Sequence, residues 1–185
     1  ANDNIDGGDG EDNIDAGDGD DTVSAGEGAD TVVGGPGDDS ILGGDGEDVL
    51  SGNDGDDTLN GGVRNDSLDG GFGDDSLIGE GGRDTLVGGF NSDTLDGGNN
   101  VDMLDGGSGN DFILGGLGDD IIDAGQDNDT VYGGAGLDSV FGGDGDDLVN
   151  GNGGRDTVDG GEGLDVVNGG TSGDFVMGGG AIAVS

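Results

Sequence analysis

Gly142-Gly143-Asp144-Gly145-Asp146-Asp147-Leu148-Val149-Asn150 carries, in nine residues, the plan of the whole chain. Gly7-Gly8-Asp9-Gly10-Glu11-Asp12-Asn13-Ile14-Asp15 repeats the same order of residue types. Steps of nine outward from Asp147 meet Asp3, Asp12, Asp21, Asp30, Asp39, Asp48, Asp57, Asp66, Asp75, Asp84, Asp93, Asp102, Asp111, Asp120, Asp129, Asp138, Asp156, Asp165 and Asp174 without a miss. Two residues after each Asp stands an aliphatic side chain, from Ile5 and Ile14 through Leu50 to Leu104 and on to Val167 and Val176. Four residues after it stands Gly, except at Ala16, Ala25 and Ala124; five after it stands Gly again, except at Asn53, Glu80 and Asn152. The unit is G-G-x-G-x-D-x-U-x, with U aliphatic, and a fixed period of this kind predicts a solenoid.

The spacing predicts how the unit folds. In a short strand of about three residues side chains alternate, so U points to one face and its neighbours to the other. The glycines supply positive φ for a tight reversal and leave carbonyl oxygens uncovered. Two nonapeptides make one turn, with one strand in each of two facing parallel sheets, and residues 18 apart stack. Residues 1–180 form the repeat domain of about ten turns, a rod roughly 48 Å long at ~4.8 Å per turn. Residues 181–185 form an apolar tail.

Composition narrows the chemistry. The chain has 185 residues, with 44 acidic side chains against three basic ones and a formal net charge of −41. Such a charge repels nucleic acid. With 28% hydrophobic residues and 52 glycines the composition alone reads as disordered, and the unbroken repeat overrides that reading. His, Cys, Lys and Trp are absent, which removes the Ser-His-Asp and Cys-His nucleophiles, Schiff-base lysines and nitrogen or sulfur metal ligands. Paired carboxylates suffice for glycoside hydrolysis, but these acids follow the repeat period or sit on solvated loops, so the chain is read as no enzyme. No stretch approaches the ~18 apolar residues of a membrane span, and no signal peptide leads the chain. Ala1 in place of Met reads as a processed product or an excised piece.

The nonapeptide resembles that of the calcium-binding repeats-in-toxin (RTX) family, over residues 1 to 180. The resemblance implies an all-β, right-handed parallel β-roll (β-solenoid) with calcium between successive loops on the same side. The twenty Asp residues of the column, Asp3 to Asp174, would hold the ions together with backbone carbonyls. It further implies a secreted protein of a Gram-negative bacterium, extracellular or at the cell surface, exported by type I secretion with a C-terminal signal. The tail Ala181-Ile182-Ala183-Val184-Ser185 is read either as part of such a signal or as a ragged end or partial cap.

Electrostatics makes the ion a condition of the fold. The same Asp repeated every ~4.8 Å lies well inside one Debye length of the next. Full occupancy between same-side loops gives up to about 17 Ca²⁺, or about +34, leaving roughly −7. Flexible loops of hard oxygen ligands suit calcium better than magnesium. Since the unfolded chain has no site, binding free energy becomes folding free energy.

Departures from the motif mark weaker loops. Arg64, Asn91, Asn100, Asp127 and Ser172 replace the third loop glycine, where positive φ is expected. Asn and Asp tolerate it, whereas Arg64 and Ser172 predict irregular loops ending at Asp66 and Asp174. Alternation of sides places Arg64, Arg83 and Arg155 on one edge, as local charge relief or as a docking edge for an acidic partner.

Outward residues carry a second pattern. Thr22, Ser40, Thr58, Ser76 and Thr94 form a hydroxyl column, read as β-propensity on a solvated face. The neighbouring loop position wanders through Asp9, Asp18, Glu27, Pro36, Asp45, Val63 and Phe72, which argues against a repetitive ice-binding surface. Phe72 and Phe90 should sit side by side, and Phe112, Leu114, Tyr132 and Leu148 should cluster outside one sheet, either as isolated packing or as a protein contact. Open strand edges, and the half-loops Ala1-Asn2-Asp3 and Gly178-Gly179-Gly180, also allow end-to-end stacking. Two functions follow: a calcium-loaded structural module of a secreted protein, or a self-associating subunit of an extracellular filament, surface layer or matrix.

Overall fold

The computed structural model describes residues 1–178 and the strand Ile182–Ala183. Every described strand lies in one of two parallel sheets. Odd-numbered strands, beginning with Asn4–Asp9 and Thr22–Glu27, form an eleven-stranded sheet, and even-numbered strands, beginning with Asn13–Asp15 and Thr31–Pro36, form a ten-stranded one. This is an all-β parallel solenoid of about ten turns, with no helix among the described residues.

Register follows the period of 18 throughout the repeats. Leu59 pairs with Leu77 in the larger sheet and Leu50 with Leu68 in the smaller. The aliphatic column therefore stacks like on like, and from Ile14 to Val167 it is buried, with Ile5 and Val176 partly buried at the two ends. Each turn contributes two such side chains, so the core is a double file with little depth.

Most strands are longer than the three residues that the nonapeptide predicts. Thr58–Val63 has six residues, because identical loops stacked in register continue the pairing through Gly44↔Gly62 and Asp45↔Val63. Pairing thus runs through the first half of most loops, though not at Asn13–Asp15 or in the last turns, where the strands keep to three residues. The tail joins the larger sheet: Ile182 and Ala183 pair with Val166 and Val167, sixteen residues back and not eighteen. The rest of the tail, residues 181 and 184–185, lies outside the described residues. The junction drawn from Gly178-Gly179-Gly180 falls partly outside the described residues.

Candidate metal-binding ladder

The Asp column sits where strand meets loop, just before the outward residue that opens each strand. Asp21 to Asp165 are buried, Asp12 and Asp174 half-buried, and Asp3 is exposed on the first turn. Alternation of strands divides the column into two rows, one per edge. One row runs from Asp3 and Asp21 to Asp165, the other from Asp12 and Asp30 to Asp174.

From Asp21 onward each carboxylate is tied to the turn before it. The backbone N–H of Asp3 donates to Oδ1 of Asp21 at 2.6 Å, that of Asp48 to Asp66 at 2.9 Å, and that of Asp156 to Asp174 at 3.2 Å. The Asp carbonyl is occupied too, as where Thr94 N–H donates to Asp75 O at 2.8 Å. The second carboxylate oxygen is left over. Oδ2 of every column residue from Asp12 to Asp165 is buried with no hydrogen-bond partner. A buried unpaired carboxylate oxygen costs several kcal/mol unless a cation or proton meets it.

The glycines show why no side chain closes this space. A Cβ built on Gly88 would lie 2.5 Å from Oδ2 of Asp93 and 2.7 Å from the Gly106 carbonyl oxygen. A Cβ on Gly46 would lie 2.6 Å from Oδ1 of Asp48 and strike the Gly28 carbonyl oxygen. Carboxylate and carbonyl oxygens thus converge at places that glycine keeps narrow and open in most repeats, Ala16, Ala25 and Ala124 being the exceptions at the first of them. Among the described residues no three acidic, His or Cys side chains gather as a metal cluster. Carboxylates one turn apart must therefore be completed by backbone carbonyls. Such a donor set is hard, all-oxygen and flexible, and it fits calcium.

Burial also moves the protons. Desolvation raises Asp57, Asp66, Asp93, Asp102 and Asp129 to about 7, against the opposing pull of the donated N–H and with neighbouring carboxylates adding to the rise. Asp75, Asp111 and Asp138 rise to about 6 for the same leading cause. Without a counter-ion these groups resist ionisation.

Two comparisons bear on this geometry. The model of the RTX calcium-binding nonapeptide repeat matches residues 1–32, 24–59, 33–68, 60–95, 96–131, 123–158 and 150–181. The chain belongs to that family. It is a calcium-binding RTX β-helix, and the repeated Asp of the match is the one whose Oδ2 is orphaned. Among solved structures it is similar to a hyperactive, Ca²⁺-dependent, β-helical antifreeze protein from an Antarctic bacterium, with 22% identity and a TM-score of 0.63 over 96% of this chain and 68% of that one. At that identity the likeness is one of fold. No curated protein matches the RTX chain significantly.

Other expectations can be placed. Arg64, Asn91, Asn100, Asp127 and Ser172 all have positive φ. The loop at Arg64 is nevertheless regular, since Asp66 keeps both its burial and its N–H from Asp48; the stacked neighbours hold it in place. Phe72 and Phe90 stack with centroids 4.6 Å apart and planes at 6°, and Phe112 meets Tyr132 at 5.9 Å.

One ladder escaped the nonapeptide reading. On the Asp21 edge the residue preceding each column Asp accepts an N–H from the next turn. Asp38 N–H donates to Asp20, Asp56 N–H to Asp38, Asp74 N–H to Asp56, and Asp146 N–H to Asn128. On the other edge the same position holds Glu11, Ala29, Glu47, Asn65 and Arg83, and of these steps only Asn65 to Arg83 makes the bond. The signal was present at a period of eighteen, where Asn2, Asp20, Asp38, Asp56 and Asp74 are all short acceptors.

Proposed function

We propose that this RTX chain is a structural module of a secreted protein, unfolded in a calcium-poor cytosol and rigid once calcium enters it outside the cell. One observation carries the proposal: a row of buried, partnerless Oδ2 atoms, one per nonapeptide, along each edge. Bound calcium supplies the positive charge that lets these carboxylates stay ionised inside the rod. Asp3 to Asp174 hold the ions with loop carbonyls, up to about 17 between same-side loops. Millimolar-range affinities, typical of extracellular modules, would leave the chain empty before export and loaded after it. Export by a type I route from a Gram-negative bacterium is consistent with that order of events.

Three further points bear on the reading. From Asp21 to Asp165 the column carboxyls share one environment, each buried with one N–H donor on Oδ1, and so lack the unlike pair that acid–base chemistry needs. No described helix is long and apolar enough to cross a membrane. Ice binding is not assigned, since that surface needs the same side chain on every turn, whereas Asp45, Val63, Gly81 and Asn99 succeed one another at one loop position.

A calcium titration followed by far-UV circular dichroism, with magnesium as the control, tests the proposal. A transition from coil to strand near millimolar calcium, absent with magnesium, is expected. A strand signal of the same size in chelator at neutral pH would refute it.

A further inference from the structure

We infer that the outer face of the eleven-stranded sheet pairs with the same face of a second copy, giving a two-fold dimer of calcium-loaded rods. The inference rests on the folding reading above, since the face exists only in the rod. It starts from where the charge is absent. The chain carries −41 in all, yet from the strand Asn4–Asp9 to the strand Val166–Asn168 the outward residues flanking the aliphatic column include only Asp6 and Asp96 as acids. The equivalent face of the ten-stranded sheet carries Asp15, Asp69, Asp105, Asp123 and Asp159. Loop edges are more acidic still in the first turns, with Asp9, Glu11, Asp18, Asp20 and Glu27. Two copies of so acidic a chain repel one another over most of their surface, and this face is the one on which they meet with least repulsion.

What replaces charge there is chemistry suited to contact. Thr22, Ser40, Thr58 and Thr94 stack one per turn through the registers Thr22↔Ser40↔Thr58↔Ser76↔Thr94. Beyond Thr94 the column is mostly apolar, with Phe112 at 39%, Leu148 at 41% and Val166 at 47% exposure, Thr130 between the first two, and half-buried Leu114 and Tyr132 beside them. Grouped apolar side chains mark a contact surface; the ten-stranded sheet exposes Met103, Ile121 and Phe141 as well, but beside Asp105 and Asp123, so charge is what separates the two faces. A two-fold arrangement satisfies a self-complementary face without propagating into fibres.

Sedimentation velocity of the calcium-loaded chain across a micromolar concentration series, with circular dichroism on the same samples, tests this. The wild type should dimerise, the double variant Leu114→Glu, Leu148→Glu should dimerise at least about tenfold more weakly, and Ile121→Glu on the ten-stranded sheet should dimerise like the wild type. A strand signal with a monomer at every concentration would overturn the pairing alone, as would polymers indifferent to the double variant or equal loss in Ile121→Glu. Absence of any calcium-dependent strand signal in the wild type would overturn both the pairing and the folding proposal.

Discussion

The backbone N–H of Asp75 donates to Oδ1 of Asp93, one turn further along the rod, at 2.8 Å, and Oδ2 of Asp93 is left buried without a partner. One carboxylate thus performs two separable tasks. Oδ1 sets the register between turns, and Oδ2 awaits a charge.

Substitution separates the tasks. Asp93→Asn keeps an acceptor for Asp75 N–H and removes the negative charge, so the calcium midpoint should rise about two- to threefold while the rod still forms. Asp93→Ala also orphans the Asp75 N–H and should cost a further ~1–3 kcal/mol. Calcium titrations of the two variants check this; equal midpoints in Asp93→Asn and wild type would remove Oδ2 from the ligand set.

Acid should partly replace calcium. An unfolded Asp ionises near 3.8, whereas in the rod burial holds Asp57, Asp66, Asp93, Asp102 and Asp129 at about 7. These folded-state values are raised, so their contribution to the calcium-free fold is full below about 4 and is lost as pH rises towards 7. In chelator, strand signal should therefore grow as pH falls from neutral towards 4. The unfolded carboxylates stay ionised over most of this interval, so a fold already supported by protons needs less calcium, and the calcium midpoint of the strand signal should fall between pH 7 and about 5; a midpoint that rises there would contradict the assignment.

Much of this was legible because the nonapeptide repeats both the cause and its consequence. Asp147 and Val149 stand two apart, which fixes one at the strand's start and the other in the core, and the 18-residue register Leu59↔Leu77 follows from two strands per turn. The family resemblance, confirmed over residues 1–181, pointed to calcium. What escaped were features set between turns. The direction of the Oδ1 bonds depends on how successive loops overlap, and the Asp20 to Asp38 ladder runs on one edge only, so a period of nine averages it away. Strand length escaped as well, since Gly44 and Gly62 pair although glycine signals a turn.

Restoring the motif at Arg64 should stabilise the rod. Arg64 holds φ at 86° and Ser172 holds it at 107°, both in the region an L side chain resists. Arg64→Gly removes that strain and should add about 1 kcal/mol, lowering the calcium midpoint. Asn91→Gly, where Asn already tolerates a φ of 80°, should change little. A calcium midpoint that rises in Arg64→Gly would show that the guanidinium's relief of edge charge outweighs the backbone strain.

Truncation of the core should depend on where along the rod it is made. Leu86 is fully buried and stacks between Leu68 and Leu104, so Leu86→Ala leaves a void in a file only one side chain deep per sheet and should cost about 2–5 kcal/mol. Each turn of a solenoid touches only its neighbours, so a central defect divides one cooperative unit into two. Val167→Ala lies near one end, and only about one turn lies beyond it to be uncoupled. Hydrogen exchange on the calcium-loaded chain should therefore show, for Leu86→Ala, faster exchange centred on residues 67–108 and a broadened calcium transition. For Val167→Ala the faster exchange should stay beyond about residue 148, with the midpoint of the rest unchanged. Uniform acceleration along the whole rod in either variant would mean that the ten turns fold as one indivisible unit.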